Sequence, residues 1–350
     1  MKATSVSSAA MSNAMRYQQM RMQADLVKAT KEASTGQVAD VGLALGGRTT
    51  QAVTFQRDLD RLNGIIDSNA LVAARLTSTQ DSLGQLSDVA QSFLSALTSA
   101  VSGDSSTSIT QSAGASALQQ MTGILNTGVN GEYLFAGTNT DVKPIDDFTA
   151  AGSPAKAAFD ASFVAYFGFA QGDPAAAGIT AAQMDDFITT SVEPQFLGSG
   201  WQGTWSNATD EQITSRIALN ETTETSVSAN EEGIRKLAMA SAMVTSLLSS
   251  STISQAARTS VTSRAQTLVG EAIGGLVQVR SEAGLAQNRV SDATDRMKTQ
   301  VDLFEKHIID LVGVDPAEAA TRVADLTQHI ETSFALTARL QQLSLLNYLT

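Results

Sequence analysis

Cysteine is absent from the 350 residues, which removes disulfides, thiolate–zinc sites and thiol catalysis together. Histidine is nearly absent: His307 and His329 are the only two, so no multi-histidine metal site can be built. Lys and Arg number 23 against 35 Asp and Glu, and a formal charge of -12 offers no basic face to a phosphate backbone. No nucleic-acid partner is expected. No apolar run reaches about 18 residues, so no membrane span is expected either. The opening MKATSVSSAAMSNAM lacks the apolar stretch of a secretory signal. What is present is 43% hydrophobic, enough for sizeable cores, in a length that fits about two domains.

The scarce residues are unevenly placed. Of 18 aromatics, 12 lie between Tyr133 and Trp205, together with Pro144, Pro154, Pro174 and Pro194. The remaining proline is Pro316. Proline breaks helix interiors, so the flanks are free to form long helices and the middle is not. The middle reads as a loop-rich insert with its own aromatic core.

The flanks carry a heptad. Phe55, Leu59, Leu62, Ile66, Asn69, Ala73, Leu76, Gln80, Leu83, Ser87, Ala90, Leu94, Leu97 and Val101 alternate steps of four and three. At 1.5 Å per residue that helix runs roughly 70 Å. The return flank has a short seam at Ile234, Leu237, Ser241, Val244 and Leu248, then another at Val261, Ala265, Leu268 and Ala272. Val290, Thr294, Met297, Val301, Phe304, Ile308 and Leu311 complete it. The expected fold is mainly α, with a central α+β or β-rich insert. Long antiparallel heptad-patterned helices form a rod with both termini at one end. Five segments follow: an N-terminal assembly helix (1–35), an outgoing rod arm (36–130), a distal domain (131–230), a return arm (231–312) and a C-terminal assembly helix (313–350).

The two ends are the most apolar helices. Val6, Ala10, Tyr17, Met20, Ala24 and Val27 lie near one helical face, widened by Met11, Met15 and Met22. At the finish Leu326, Ile330, Phe334, Leu336, Leu340, Leu343, Leu345, Leu346 and Leu349 crowd 24 residues. A helix that apolar needs cover on more than one side. These ends are expected to be mobile in a monomer and ordered by neighbouring copies.

Specific residues carry a family resemblance. ARLQQLSLLNYL (338–349) is similar to the C-terminal end of bacterial flagellins and their hook-associated relatives. SEAGLAQNRV (281–290) resembles the family segment holding an Asn-Arg pair, here Asn288 and Arg289. GVDPAEAATRV (313–323) and KATKEASTGQ (28–37) resemble its acidic break and its first-helix turn. GEYLFAGTNTDVKPI (131–145), with Gly131, Tyr133, Phe135 and Gly137, resembles the segment of the hook-associated protein 3 branch. Tyr133 and Phe135 alternate as a strand does. One departure stands between Val38 and Val53, where Asp40 is alone in place of the family's frequent acidic pair.

The resemblance implies a secreted structural subunit of the bacterial flagellum at the hook–filament junction, not an enzyme, and without a cofactor. Its implied partners are other copies of itself, the first hook-associated protein, flagellin and a flagellar export chaperone, with delivery by type III export. A filament flagellin is the alternative within the family, and a soluble coiled-coil adaptor the alternative outside it.

Other patterns read as structural. Residues 42–49, GLALGGRT, approach a phosphate-binding loop but carry Arg48 for lysine and follow no strand, so a flexible link is expected. Asp146 with Asp147, and Asp185 with Asp186, are adjacent and point apart. Asn207-Ala208-Thr209 is a sequon by letter only.

Overall fold

The computed structural model describes residues 8–346, with side-chain exposure from residue 10 to 339 apart from Ser12. The chain divides into two units: Met1–Gly64 with Lys298–Thr350, and the contiguous Ile65–Met297. Both are mainly helical.

The first unit begins with α1 (Ser8–Thr35) and α2 (Val41–Leu45), followed by a 3-10 turn at Gly46–Arg48. It takes in the start of α3 (Thr49–Val101). Asp40 caps α2, its carboxylate accepting from Leu43 N at 3.0 Å. The near phosphate loop at 42–49 is therefore helix and tight turn, not the flexible link expected. At the far end of the chain, Asp315 accepts from Ala317 N at 2.8 Å and Pro316 opens α11 (Pro316–Leu346). Proline in the first turn loses no helix hydrogen bond, so Asp-Pro is a start signal as well as a break. Val38 N donates to Val312 O, and Val314 N to Gly36 O, both at 2.9 Å. Around that crossing Leu45, Ala52 and Val312 are buried, with Val38, Val41, Ile308 and Leu311 against them. Phe55 stacks on Phe304, ring centres 5.6 Å apart, and on His307 at 5.4 Å.

The second unit holds the rest of α3, then α4 (Thr107–Leu125) and a minimal hairpin, β1 (Gly128–Val129) and β2 (Glu132–Tyr133). Val129 pairs with Glu132 across Asn130-Gly131. An insert of short helices follows: α5 (Pro154–Phe167), a 3-10 turn at Pro174–Gly178, α6 (Ala181–Phe187), α7 (Glu193–Phe196) and α8 (Gly200–Thr204). A π turn at Ile188–Val192 joins α6 to α7. Pro194 explains it, since proline cannot donate to the carbonyl four residues back and the helix widens there. A bulged hairpin, β3 (Thr214–Ala218) with β4 (Glu221–Glu224), leads to α9 (Glu232–Leu247) and α10 (Gln255–Val312). Two two-stranded hairpins are the sheets of this unit among the described residues, and isolated bridges pair Ala136 with Ser228 and Ile145 with Ser206, so the insert is α+β.

The aromatic core is buried: Phe148, Phe159, Phe163, Phe187, Phe196, Trp201 and Trp205 are at most 1% exposed. It is not separate, however, because the same cluster runs on through Leu83, Phe93, Leu118, Leu237 and Val269 of the long helices. The one-sided seam read for α9 is too narrow. Ala238, Met239, Ala240, Ala242 and Met243 are buried alongside it, so α9 is covered all round. Beyond Lys236 that helix carries no charge, which is the signal for it.

The α3 seam within this unit is turned inward from Ile66 to Leu97, whereas Val101 is 44% exposed at the helix end. Asn69, polar in an apolar seam, is 1% exposed. Its Nδ2 donates to Ile217 O of β3 and to Thr294 Oγ1 of α10, each at 2.9 Å. Substituting Asn69→Ala leaves the Ile217 carbonyl without its donor, at an expected cost of about 1–3 kcal/mol. A lower urea midpoint with an unchanged slope is the expected reading.

Candidate assembly surface

In the first unit α1 packs on α11. Gln19 Nε2 reaches Thr337 Oγ1 at 3.5 Å, and Arg322 reaches Glu32 at 3.2 Å and Glu318 at 2.9 Å. Rising numbers in one helix meet falling numbers in the other, so the pair is antiparallel. On α1 the less exposed stripe is Met15, Gln19, Met22, Leu26, Ala29 and Ala33. On α11 it is Ala319, Val323, Leu326, Ile330, Ser333 and Thr337. Both step by fours and threes, the repeat that keeps one side of a helix on its partner.

This stripe uses one side of each helix and leaves apolar side chains elsewhere on both helices open. On α1, Tyr17 is 69% exposed, Met20 61% and Val27 70%, again at heptad spacing. On α11, Phe334 is 50% and Leu336 57% exposed. The single broad stripe expected for α1 is thus split, with Met15 and Met22 inward and Tyr17, Met20 and Val27 outward. Leu326 and Ile330, expected on the assembly face, lie on the intrachain stripe. Val6 and Leu349 lie outside the described residues, as do the side chains of Leu340, Leu343 and Leu346.

Among the described residues of this unit, four exposed large apolar side chains escaped the sequence reading: Leu43, Val53, Leu303 and Ile309. The last two sit one position from seam residues Phe304 and Ile308, and that adjacency is the signal that could have marked them. In the seam, Leu62, Leu76 and Leu83 are buried. Phe55, Leu59, Ile66, Leu94, Val301, Phe304, Ile308 and Leu311 are half-buried.

The motif residues sit in the second unit. Gly131 is at the exposed hairpin tip, Tyr133 ends β2, and Phe135 and Gly137 are buried just beyond it. The strand stops before Phe135, which lies in a bend. Arg75 of α3 anchors the hairpin, reaching Glu132 at 2.7 Å and donating to Tyr133 O at 2.9 Å. Asn288 is exposed, and Arg289 reaches Glu221 at 3.4 Å.

The acidic pairs and the sequon make local contacts. Asp147 turns back on Thr149, whose hydroxyl bond is the main cause holding its carboxyl below the usual value. Asp186 accepts from the Tyr166 hydroxyl. Asn207 donates to Lys143 O at 3.2 Å. Among the described residues no three His, Asp or Glu side chains form a metal-binding group, and no helix is long and apolar enough to cross a membrane.

The helical flanks match two family models: the bacterial flagellin N-terminal helical region over residues 6–140, and the bacterial flagellin C-terminal helical region over 267–349. The chain belongs to the flagellin family. That family is structural and non-enzymatic, so the protein is a structural subunit of the flagellum, an extracellular assembly. No curated relative matches the chain. Among the solved chains that match is one described as a flagellar hook-associated protein from Vibrio parahaemolyticus. It is 11% identical with a TM-score of 0.52, over 76% of this chain and 97% of that one, and it shares the fold.

Proposed function

We propose that this flagellin-family subunit joins hook to filament, and that the outward faces of its paired terminal helices are the surfaces by which it assembles. The observation that carries the assembly role is the exposure of Tyr17, Met20 and Val27 on α1 and of Phe334 and Leu336 on α11. A pair of helices that has satisfied one side and still presents apolar side chains elsewhere needs further helices to cover them. Those helices belong to other copies, to the first hook-associated protein on one side and to flagellin on the other. Before export a chaperone covers the C-terminal helix.

The choice of the junction over the filament rests on the segment holding Gly131, Tyr133, Phe135 and Gly137, which resembles the junction branch. Counting this chain in purified flagella tests it. A handful of copies at the base of each filament is the expected result, and thousands along its length would identify a filament flagellin instead.

A further inference from the structure

Two clefts of the second unit, of about 480 and 340 Å³, share two carboxyls: Glu231 and Glu282, with Val279, line both. Glu231 is the residue before α9, at the joint where the insert re-enters the long helices. The next turn meets α10 at backbone distance. A Cβ on Gly233 would lie 3.0 Å from Ala272 O, and one on Gly275 would lie 2.9 Å from Gly233 Cα. A crossing this tight tolerates little separation, so charge at its edge acts directly on its closure.

The charges around Glu231 are unbalanced. On α9, Lys236 is held by Glu232 at 2.7 Å and by Glu271 of α10 at 2.8 Å. Arg235 donates to the Phe196 and Gly198 carbonyls. On α10, Arg289 reaches Glu221 and Glu282 accepts from Gln278. On the preceding loop Asp210 accepts from Asn230 and Gln202, and Glu224 of β4 lines the larger cleft. The neighbouring cations are thus engaged elsewhere, and like charge faces Glu231.

We propose that Glu231 works as a proton-operated latch on this joint: a neutral carboxyl lets the first turn of α9 seat on α10, and an ionised one loosens it. Burial first, then repulsion from Glu282 and Asp210, holds the carboxyl above the ordinary glutamate value. A carboxyl raised on folding stabilises the joint below its unfolded value, and that stability is lost as pH rises through the folded one. The Lys236–Glu232 pair does not oppose this. Its hydrogen bond holds Glu232 below the ordinary value, so that pair is lost only at lower pH.

The joint has a built-in reporter, since Trp201 Nε1 donates to Asn230 Oδ1 at 2.7 Å, next to Glu231. Tryptophan emission of the full chain, followed from about pH 4 to about pH 8, is expected to titrate with a midpoint above that of an ordinary glutamate. Glu231→Gln removes the transition. Glu282→Gln keeps it and lowers its midpoint, and serves alone if the first variant does not fold. A transition unchanged in either variant, or no transition in the parent chain, overturns the latch.

Discussion

A chain lacking residues 331–350 is expected to keep the second unit folded and to lose incorporation into flagella altogether. The second unit is contiguous and needs none of the deleted residues. The deletion removes Phe334 and Leu336 and strips α1 of half its partner. A sharper version leaves every backbone group in place: Tyr17→Ser, Met20→Ser and Val27→Ser combined. Exposed substitutions of this kind change monomer stability by at most about 0.5 kcal/mol each. Each loses about 1.5 kcal/mol or more of burial on assembly, so the critical concentration should rise about a thousandfold. Sedimentation of polymer against monomer measures it. Normal polymerisation by the triple variant would remove the assembly role from the outer face of α1.

The second large effect is Gly137→Ala. Gly137 has φ +65°, and an added Cβ would overlap Thr209 O and Oγ1 and lie 2.8 Å from Glu211 O. Neither carbonyl can swing aside as a side-chain tip would. Steric displacement adds to the left-handed backbone cost, and the expected loss is about 3 kcal/mol or more. Gly131→Ala separates the two causes. Its φ is +88° with nothing within 4 Å, so only the backbone cost of about 1–2 kcal/mol applies. Urea unfolding of both variants decides, and equal losses would show that the Thr209 contact does not matter.

Periodicity made the helical flanks legible because a heptad repeats one instruction many times. Leu62, Leu76 and Leu83 each say the same thing, and an error at Val101 does no harm. The insert was legible only as a composition, rich in aromatics and proline. Its order depends on single contacts such as Trp201 to Asn230 or Arg75 to Tyr133 O, and no spacing announces these. The hairpin turn at Asn130-Gly131 went unread, although that dipeptide favours a two-residue turn. The division of α1 into inward and outward sides was not readable. Two heptad stripes overlap within Met15, Tyr17, Met20 and Met22, and only the position of α11 separates them.

The pairing of α1 with α11 joins residues more than 300 positions apart, as Gln19 to Thr337 shows. Closing so long a loop is slow compared with local helix formation. If the proposed assembly face is made this way, it would act as a completeness check. Prematurely terminated chains can acquire the contiguous unit but never the two-stranded surface that addition to a growing end requires. On the assembly role proposed above, defective copies would be kept out of the polymer by their own topology.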